Sequence, residues 1–243
     1  MSSKVSDALS NLLTESFHLA EHLIAEMQDS FYQMTEHAEF PDMLLPYVDE
    51  KNAGKELLRS LTHKGLVKKF FLEISAISVS NHLMGVLRIY LPSSEYPATK
   101  FIIQVDKSQR TCWKRFIQLK ELCQIYCDHL KGTTSTKDEN IDSQIYHLLK
   151  QHQTLSKGPD LFSISPGDGN YTEFLSFYMA INLVFPKSYR DLRPQLSAFE
   201  DHSGDKKFRY TPYDIADAIK MPEFIVKFFM SQLEPFYKKK GLI

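Results

Sequence analysis

The sequence has few cysteines and no excess of charge of either sign. Its 243 residues include three cysteines, Cys112, Cys123 and Cys127. A low, odd cysteine count argues against a secreted disulfide scaffold and favours a reducing compartment, so we expect a cytoplasmic protein. Lys and Arg number 29 against 30 Asp and Glu. Direct nucleic-acid binding, which draws on clustered basic residues, is therefore not expected.

Long apolar runs are also missing. A helix that spans a membrane requires about 18 or more apolar residues. The richest apolar stretch, residues 174–185, is shorter than this and contains Ser176 and Asn182. Residues 1–11 lack the basic stretch followed by an apolar stretch that marks a secretory signal peptide. We therefore expect neither a membrane protein nor a secreted one.

The apolar pattern predicts an α+β fold. Over residues 6–34 apolar side chains recur at steps of three and four, which is typical of a long amphipathic helix. Residues 113–130 and 171–185 predict two further apolar helices. Three segments rich in β-branched and aromatic residues predict an antiparallel meander of about three strands: 66–79, 83–91 and 100–105. The expected fold is a small antiparallel sheet packed against helices, with an added N-terminal helix.

The chain divides into three predicted parts. Residues 1–63 form an N-terminal helical segment, and residues 64–233 form the main domain. A polar loop is inserted in that domain near residues 132–170. Residues 234–243 are expected to be a basic tail, because Lys238, Lys239 and Lys240 lie there.

Residues 115–124, Arg-Phe-Ile-Gln-Leu-Lys-Glu-Leu-Cys-Gln, carry a candidate functional motif. They resemble the H-E-x-x-H helix of zincin peptidases with both histidines replaced, by Lys120 and Gln124. In such a helix the two histidines lie one turn apart and bind zinc, while the glutamate activates the metal-bound water. By this resemblance Glu121 keeps the general-base position.

A second helix extends the resemblance. Glu173 is followed at offsets of seven, ten and thirteen by Ala180, Leu183 and Pro186. The ImmA/IrrE family of phage and bacterial metallopeptidases has R-F-x-x-A-H-E-x-G-H on one helix. Its next helix begins with a metal-binding Glu and ends in A-x-x-L-L-M-P. Residues 64–233 are similar to a divergent member of this family, and the resemblance implies a zincin-like fold with Arg115 and Phe116 at the R-F pair.

The substitutions bear on the metal that this resemblance implies. Zinc at a hydrolytic site has about three protein ligands, and two of these positions are Lys120 and Gln124. An ammonium does not bind a metal ion and glutamine is a poor zinc ligand, so we expect neither zinc nor another cofactor. We predict instead that Lys120 forms an ion pair or hydrogen bond with Glu173, as a surrogate for the metal. A cleft between the two helices is expected to be lined by Arg115, Phe116, Tyr178 and Pro186.

Several alternatives remain open from the sequence. Cys123 and Cys127, with Glu173 or His129, would give a displaced zinc site and an active metallopeptidase. Active members of the family are associated with relieving repression by helix-turn-helix repressors. The resemblance therefore implies a regulatory protein-binding module that acts on such a repressor or another phage or mobile-element regulator. A structural or assembly subunit is the third hypothesis.

The N-terminal helix lies outside this resemblance. Its apolar stripe predicts either a packing helix of the same core or a surface through which a partner or a second copy of the chain binds: Leu9, Leu13, Phe17, Leu23, Met27 and Phe31. Near the other end, residues 213–233 have the outline of a helix-turn-helix. Their second helix is mostly apolar, so we expect it to face the core and not DNA.

Overall fold

The computed structural model is an α+β fold, which confirms the expected fold class. The expected domain boundary near residue 63 and the expected inserted loop at 132–170 lie outside the described residues. The structure describes residues 7–31, 70–78, 85–131, 171–185, 199–200, 207–208 and 211–243.

The main sheet has three strands: β1 (Phe70–Ile77), β2 (Gly85–Tyr90) and β3 (Thr99–Asp106). Their order is β1–β3–β2, with β1 parallel to β3 and β2 antiparallel to β3. The expectation of an antiparallel meander is therefore wrong for β1, which pairs with β3 and not with β2. The sequence signal does not separate the two cases, because side chains alternate with a period of two in parallel and antiparallel strands alike.

The two faces of the sheet differ in burial. On β3, Phe101, Ile103 and Val105 are buried while the alternate residues are partly exposed. The buried face carries helix α2 (Thr111–Lys131), which packs on β2 and β3. A Cβ at Gly85 would lie 2.5 Å from Ile117 Cγ2 of this helix. Only glycine at this position permits so close an approach of helix and strand.

Helix α3 (Tyr171–Val184) forms the centre of the core and is buried from Glu173 onwards. It packs against α2 on one side and against α1 (Asp7–Phe31) on the other. The apolar stripe of α1 belongs to this same core: Leu9, Leu12, Leu13, Phe17, Ala20, Leu23 and Ile24 are all buried. These residues therefore act as packing residues of one chain. The side chains of Met27 and Phe31 lie outside the described part, and association of two copies through α1 stays a prediction.

The C-terminal segment is helical almost to its end. Helix α4 (Pro212–Ile219) is followed by α5 (Glu223–Phe228), a π-helical turn (Phe229–Leu233) and α6 (Glu234–Lys240). Pro235 lies at the start of α6. A proline lacks the amide hydrogen of a regular helix, and its ring collides with the preceding turn. A wider π turn just before it accommodates both effects.

This segment corrects one expectation and agrees with another. Residues 234–243 are not a simple tail, because most of them form α6 and its Tyr237 is fully buried. The three lysines of α6 are exposed, as expected. In α5, Ile225, Val226 and Phe228 are buried. The apolar residues of the helix-turn-helix-like region therefore face the core.

Two short strands, β4 (Phe199–Glu200) and β5 (Lys207–Phe208), pair antiparallel before α4 begins. Of the helices in the described ranges, none combines the length and apolar character needed to cross a membrane.

Candidate functional site

The structure brings together the charged residues of the candidate motif where α2 meets α3. Lys120 and Gln124 lie one turn apart on α2 and share a face. Glu173 lies in the first turn of α3, opposite that face. All three side chains are buried, as is Glu121.

Lys120 is the cation of this cluster. Its Nζ donates a hydrogen bond to Glu173 Oε2, and the same Nζ lies 3.5 Å from Glu121 Oε1. Lys120 is 6% exposed, Glu121 1% and Glu173 4%. The predicted ion pair between Lys120 and Glu173 is therefore confirmed, and it lies in the interior. A buried charge without a partner costs several kcal/mol, which pairing with a close opposite charge offsets.

Asp128 extends the cluster along α2, and the sequence analysis missed it. It lies one further turn beyond Gln124 and is 5% exposed. Lys120, Gln124 and Asp128 thus form a buried polar stripe with a spacing of four residues along α2. This spacing of four residues is the feature of the sequence from which Asp128 could have been predicted to join the cluster. Among the described residues Glu173 Oε1 has no hydrogen-bond partner, so the ammonium engages only one oxygen of this carboxylate.

Glu121 points toward the start of β2. Its Oε1 would lie 3.7 Å from a Cβ at Gly85. The carboxylate therefore lies between Lys120 and the backbone of the strand, where α2 comes closest to the sheet. Any side chain at position 85 would crowd both Ile117 and this carboxylate.

The donor set at these positions does not fit the zinc ion that the resemblance implies. Lys120 and Gln124 stand where the two histidines would be, and an ammonium repels a dication. Within the described ranges, no group of three or more His, Cys, Asp or Glu side chains has an arrangement suited to a metal ion.

Of the three cysteines of α2, Cys123 and Cys127 are fully buried and Cys112 is partly exposed. Burial raises the pKa of the Cys123 thiol well above its ordinary value; Cys127 raises it further and Lys120 opposes the shift. Cys127 Sγ lies 3.8 Å from Met179 Sδ of α3. Both side chains have the surroundings of packed core thiols. The side chain of His129 lies outside the described part.

The expected cleft between α2 and α3 is filled by side chains of the two helices. Phe116 and Tyr178 are 2% and 1% exposed, which makes them core residues and not the walls of an open cleft. The Phe116 ring meets Phe177 edge to face at 5.6 Å. Arg115 is partly exposed. Pro186 lies outside the described residues.

A second buried polar cluster lies at the other end of α3, and the sequence analysis missed it too. Asn182 Nδ2 donates to Tyr237 OH at 2.9 Å and to Ser16 Oγ at 3.3 Å. Ser16 Oγ in turn donates to the Leu13 carbonyl at 2.8 Å. This network joins α1, α3 and α6. Asn182 interrupts an apolar helix, and that was its only signal in the sequence.

At the start of α3 a further contact reaches α1. Tyr171 OH donates a hydrogen bond to Glu15 Oε2. Burial, followed by this hydrogen bond and the charge of Glu15, raises the pKa of Tyr171 well above its ordinary value. The phenol therefore stays protonated and remains a donor at neutral pH.

Comparisons of the chain with protein-family models, with curated proteins and with solved structures found no match. The likeness to the ImmA/IrrE family therefore rests on the residues described above, and its implications for function are proposals.

Proposed function

We propose that the chain is a catalytically degenerate ImmA/IrrE-like domain that acts in the cytoplasm as a regulatory protein-binding module. Its partner under this proposal is a helix-turn-helix repressor or another regulator of a phage or mobile element. One observation carries the proposal. A buried ammonium, Lys120, pairs with Glu173 at the positions that resemble the metal ligands of this family.

The balance of buried charges is the reason that the Lys120–Glu173 ion pair supports this proposal. The site that the resemblance implies would hold two carboxylates beside a dication, and loss of the metal would leave them buried without a counter-charge. Lys120 supplies a single positive charge that reaches both Glu121 and Glu173. The fold can then be retained without the metal. Glu121, the vestigial general-base position, becomes one of the counter-charges of Lys120 in this interpretation.

Restoring the histidines tests whether the cluster descends from a metal site. The double variant Lys120→His/Gln124→His places two imidazoles one turn apart on α2, facing Glu173. We expect it to bind one zinc ion per chain in isothermal titration calorimetry and elemental analysis. The matched control is the triple variant with Glu173→Gln, which removes the third ligand and should lose most of that affinity. A folded double variant that takes up no zinc would contradict the proposed ancestry.

Metal analysis of the unaltered chain separates the proposal from the alternative of an active metallopeptidase. Stoichiometric zinc that disappears in Cys123→Ser, Cys127→Ser or Glu173→Ala would favour displaced ligands and overturn the degenerate site. The proposal predicts that purified protein binds no stoichiometric zinc after incubation with it and shows no metal-dependent peptidase activity.

Capture of the partner tests the regulatory role. Tagged protein is used as bait in extract from cells that encode it, and bound proteins are identified by mass spectrometry. We expect a small DNA-binding regulator, whose binding to the purified chain is then measured directly. Recovery of structural subunits and of no such regulator would favour the assembly hypothesis.

A further inference from the structure

The face of the main sheet that points away from α2 carries exposed aromatic residues. In the register of the three strands, Phe71 of β1 and Tyr90 of β2 both pair with Lys100 of β3. Phe71 is 55% exposed and Tyr90 48%. The Lys100 ammonium lies 5.5 Å from the centroid of the Phe71 ring. A row of aromatic, cationic and aromatic side chains thus crosses one end of the sheet in solvent.

The connection between β2 and β3 carries two further exposed apolar side chains. Leu91 is 70% exposed and Tyr96 is 75% exposed. A turn holds Tyr96 in place, since its carbonyl accepts a hydrogen bond from Ser93 N at 2.8 Å and its amide donates to Ser93 Oγ at 3.2 Å. Clustered and exposed aromatic residues of this kind are typical of interaction sites.

The next row on the same face carries opposite charges at its two ends. Glu73 of β1 and Arg88 of β2 both pair with Ile102 of β3. Two strand spacings, about 10 Å in all, therefore separate the Cα atoms of Glu73 and Arg88. Glu73 forms an ion pair with Lys100 at 3.1 Å. In the part of the chain that the structure describes, no carboxylate pairs with Arg88.

We propose that this face, defined by Phe71, Glu73, Arg88, Tyr90 and Ile102, binds the same face of a second copy of the chain. The two-fold axis lies between the copies and parallel to β3. This rotation places β1 of one copy over β2 of the other, as in aligned packing of two sheets about 10 Å apart. Such an interface is isologous, so every contact between unlike residues occurs twice.

The charges select this orientation. With the axis parallel to β3, Glu73 meets Arg88 of the partner subunit, and Ile102 meets Ile102 of the partner subunit at the axis. With the axis perpendicular to the strands, Glu73 would face its own equivalent and so would Arg88. Like charges placed opposite one another disfavour that second arrangement.

The aromatic row is self-complementary about the same axis. Phe71 meets Tyr90 of the partner subunit on one side of the axis. On the other side, Tyr90 meets Phe71 of the partner subunit. Lys100 faces its own equivalent across the axis, and its ion pair with Glu73 offsets that charge. Its ammonium lies 5.5 Å from the centroid of the Phe71 ring, which adds a cation–π contact to the aromatic row.

The size of this face limits the strength of the dimer. Three strands cover roughly 15 Å by 20 Å, from a strand spacing of about 4.8 Å and a rise of about 3.3 Å per residue. A stable interface usually buries about 800 Å² per partner. We therefore expect a reversible dimer with a dissociation constant between about 10 µM and 1 mM. Such a dimer requires neither the proposed function nor a contact through α1.

Reciprocal charge variants test the dimer in sedimentation equilibrium. In Arg88→Glu two acidic residues would face each other across the axis, and in Glu73→Arg two basic residues would. Each variant alone should dimerise about tenfold more weakly or worse. An equimolar mixture should recover association as a heterodimer, because positions 73 and 88 of the two chains then face each other with opposite charges.

Arg110→Glu is the matched control, since it makes the same charge change at an exposed position outside this face. It should leave the dissociation constant within about twofold of the unaltered value. All variants are checked by circular dichroism for an unchanged fold. A mixture of the two folded variants that stays monomeric would overturn the proposal. So would an unaltered chain that is monomeric at about 1 mM, or a dimer that neither charge variant weakens.

Discussion

The two ends of helix α3 bury polar groups in different ways. At its start, Glu173 is held by the charged side chain of Lys120. Toward its end, Asn182 is held by the neutral hydroxyls of Ser16 and Tyr237. Neutral hydrogen bonds fix the packing of three helices at modest cost. A buried ion pair carries a large desolvation cost and adds little stability over apolar side chains, so its presence at one end calls for a functional or ancestral explanation.

Removal of the Lys120 ammonium, at the charged end of α3, should change the free energy of unfolding the most. Lys120→Met keeps the length of the side chain but leaves Glu121 and Glu173 buried without their ammonium. We expect the free energy of unfolding to fall by about 3–5 kcal/mol in urea titrations. The double variant Lys120→Met/Glu173→Leu should recover much of that loss, because it removes a partner carboxylate as well. A loss below about 1 kcal/mol in the single variant would show that the pair is well hydrated in solution.

The neutral end should respond less strongly. Asn182→Leu removes the amide that donates to Tyr237 and Ser16, and we expect a loss of about 1–3 kcal/mol by the same measurement. Ser176→Ala is the matched control in the same helix. Within the described part of the chain its hydroxyl bonds only the Glu173 carbonyl of the same helix, at 2.8 Å, so we expect less than about 1 kcal/mol. Equal losses at Asn182 and Ser176 would show that the network between helices contributes no more than a local bond.

Substitutions at the contact between α2 and β2 test how tightly the side chains are packed near the charged start of α3. Gly85→Ala places a methyl group 2.5 Å from Ile117 Cγ2. Overpacking of this kind costs about 1–3 kcal/mol, which thermal and urea unfolding would detect. Adding Ile117→Ala removes the atom in collision, so the second change should cost less in the Gly85→Ala background than in the unaltered chain. Simple additivity would contradict a direct collision.

The smallest effect is expected at an exposed helix start, away from both ends of α3. Hydrogen bonds from the Thr211 hydroxyl and amide lower the pKa of Asp214 below its ordinary 3.8. A depressed carboxyl pKa contributes stability above the unfolded value, and this is lost as the pH falls through the lower folded pKa. Thr211→Ala should move the Asp214 pKa back toward 3.8 in an NMR titration. An unchanged value would show that the capping box does not persist in solution.

The sequence predicted the charged end of α3 better than the neutral end. The sequence predicts the pairing of Lys120 with Glu173 because both positions match those of residues that bind the same metal ion in the family motif. Asn182, Ser16 and Tyr237 belong to no motif, and only tertiary packing brings them together. The α+β class and the strand locations followed from apolar periodicity. Strand order did not, because alternation along β1 is the same whichever neighbour it has. Helical periodicity likewise does not tell which element covers Phe116 or Tyr178.

The π turn at Phe229–Leu233 determines which face of the following helix, α6, points toward the core. One residue added to a helical turn rotates everything after it by about 100°. Tyr237 reaches Asn182 only with that rotation in place. The turn itself stacks on Phe185 through Phe229, and the helix after it contacts α1 through Tyr237. Insertion or deletion of one residue in this turn would rotate Tyr237 away from Asn182 and α1. A substitution that keeps the length of the turn would not do so.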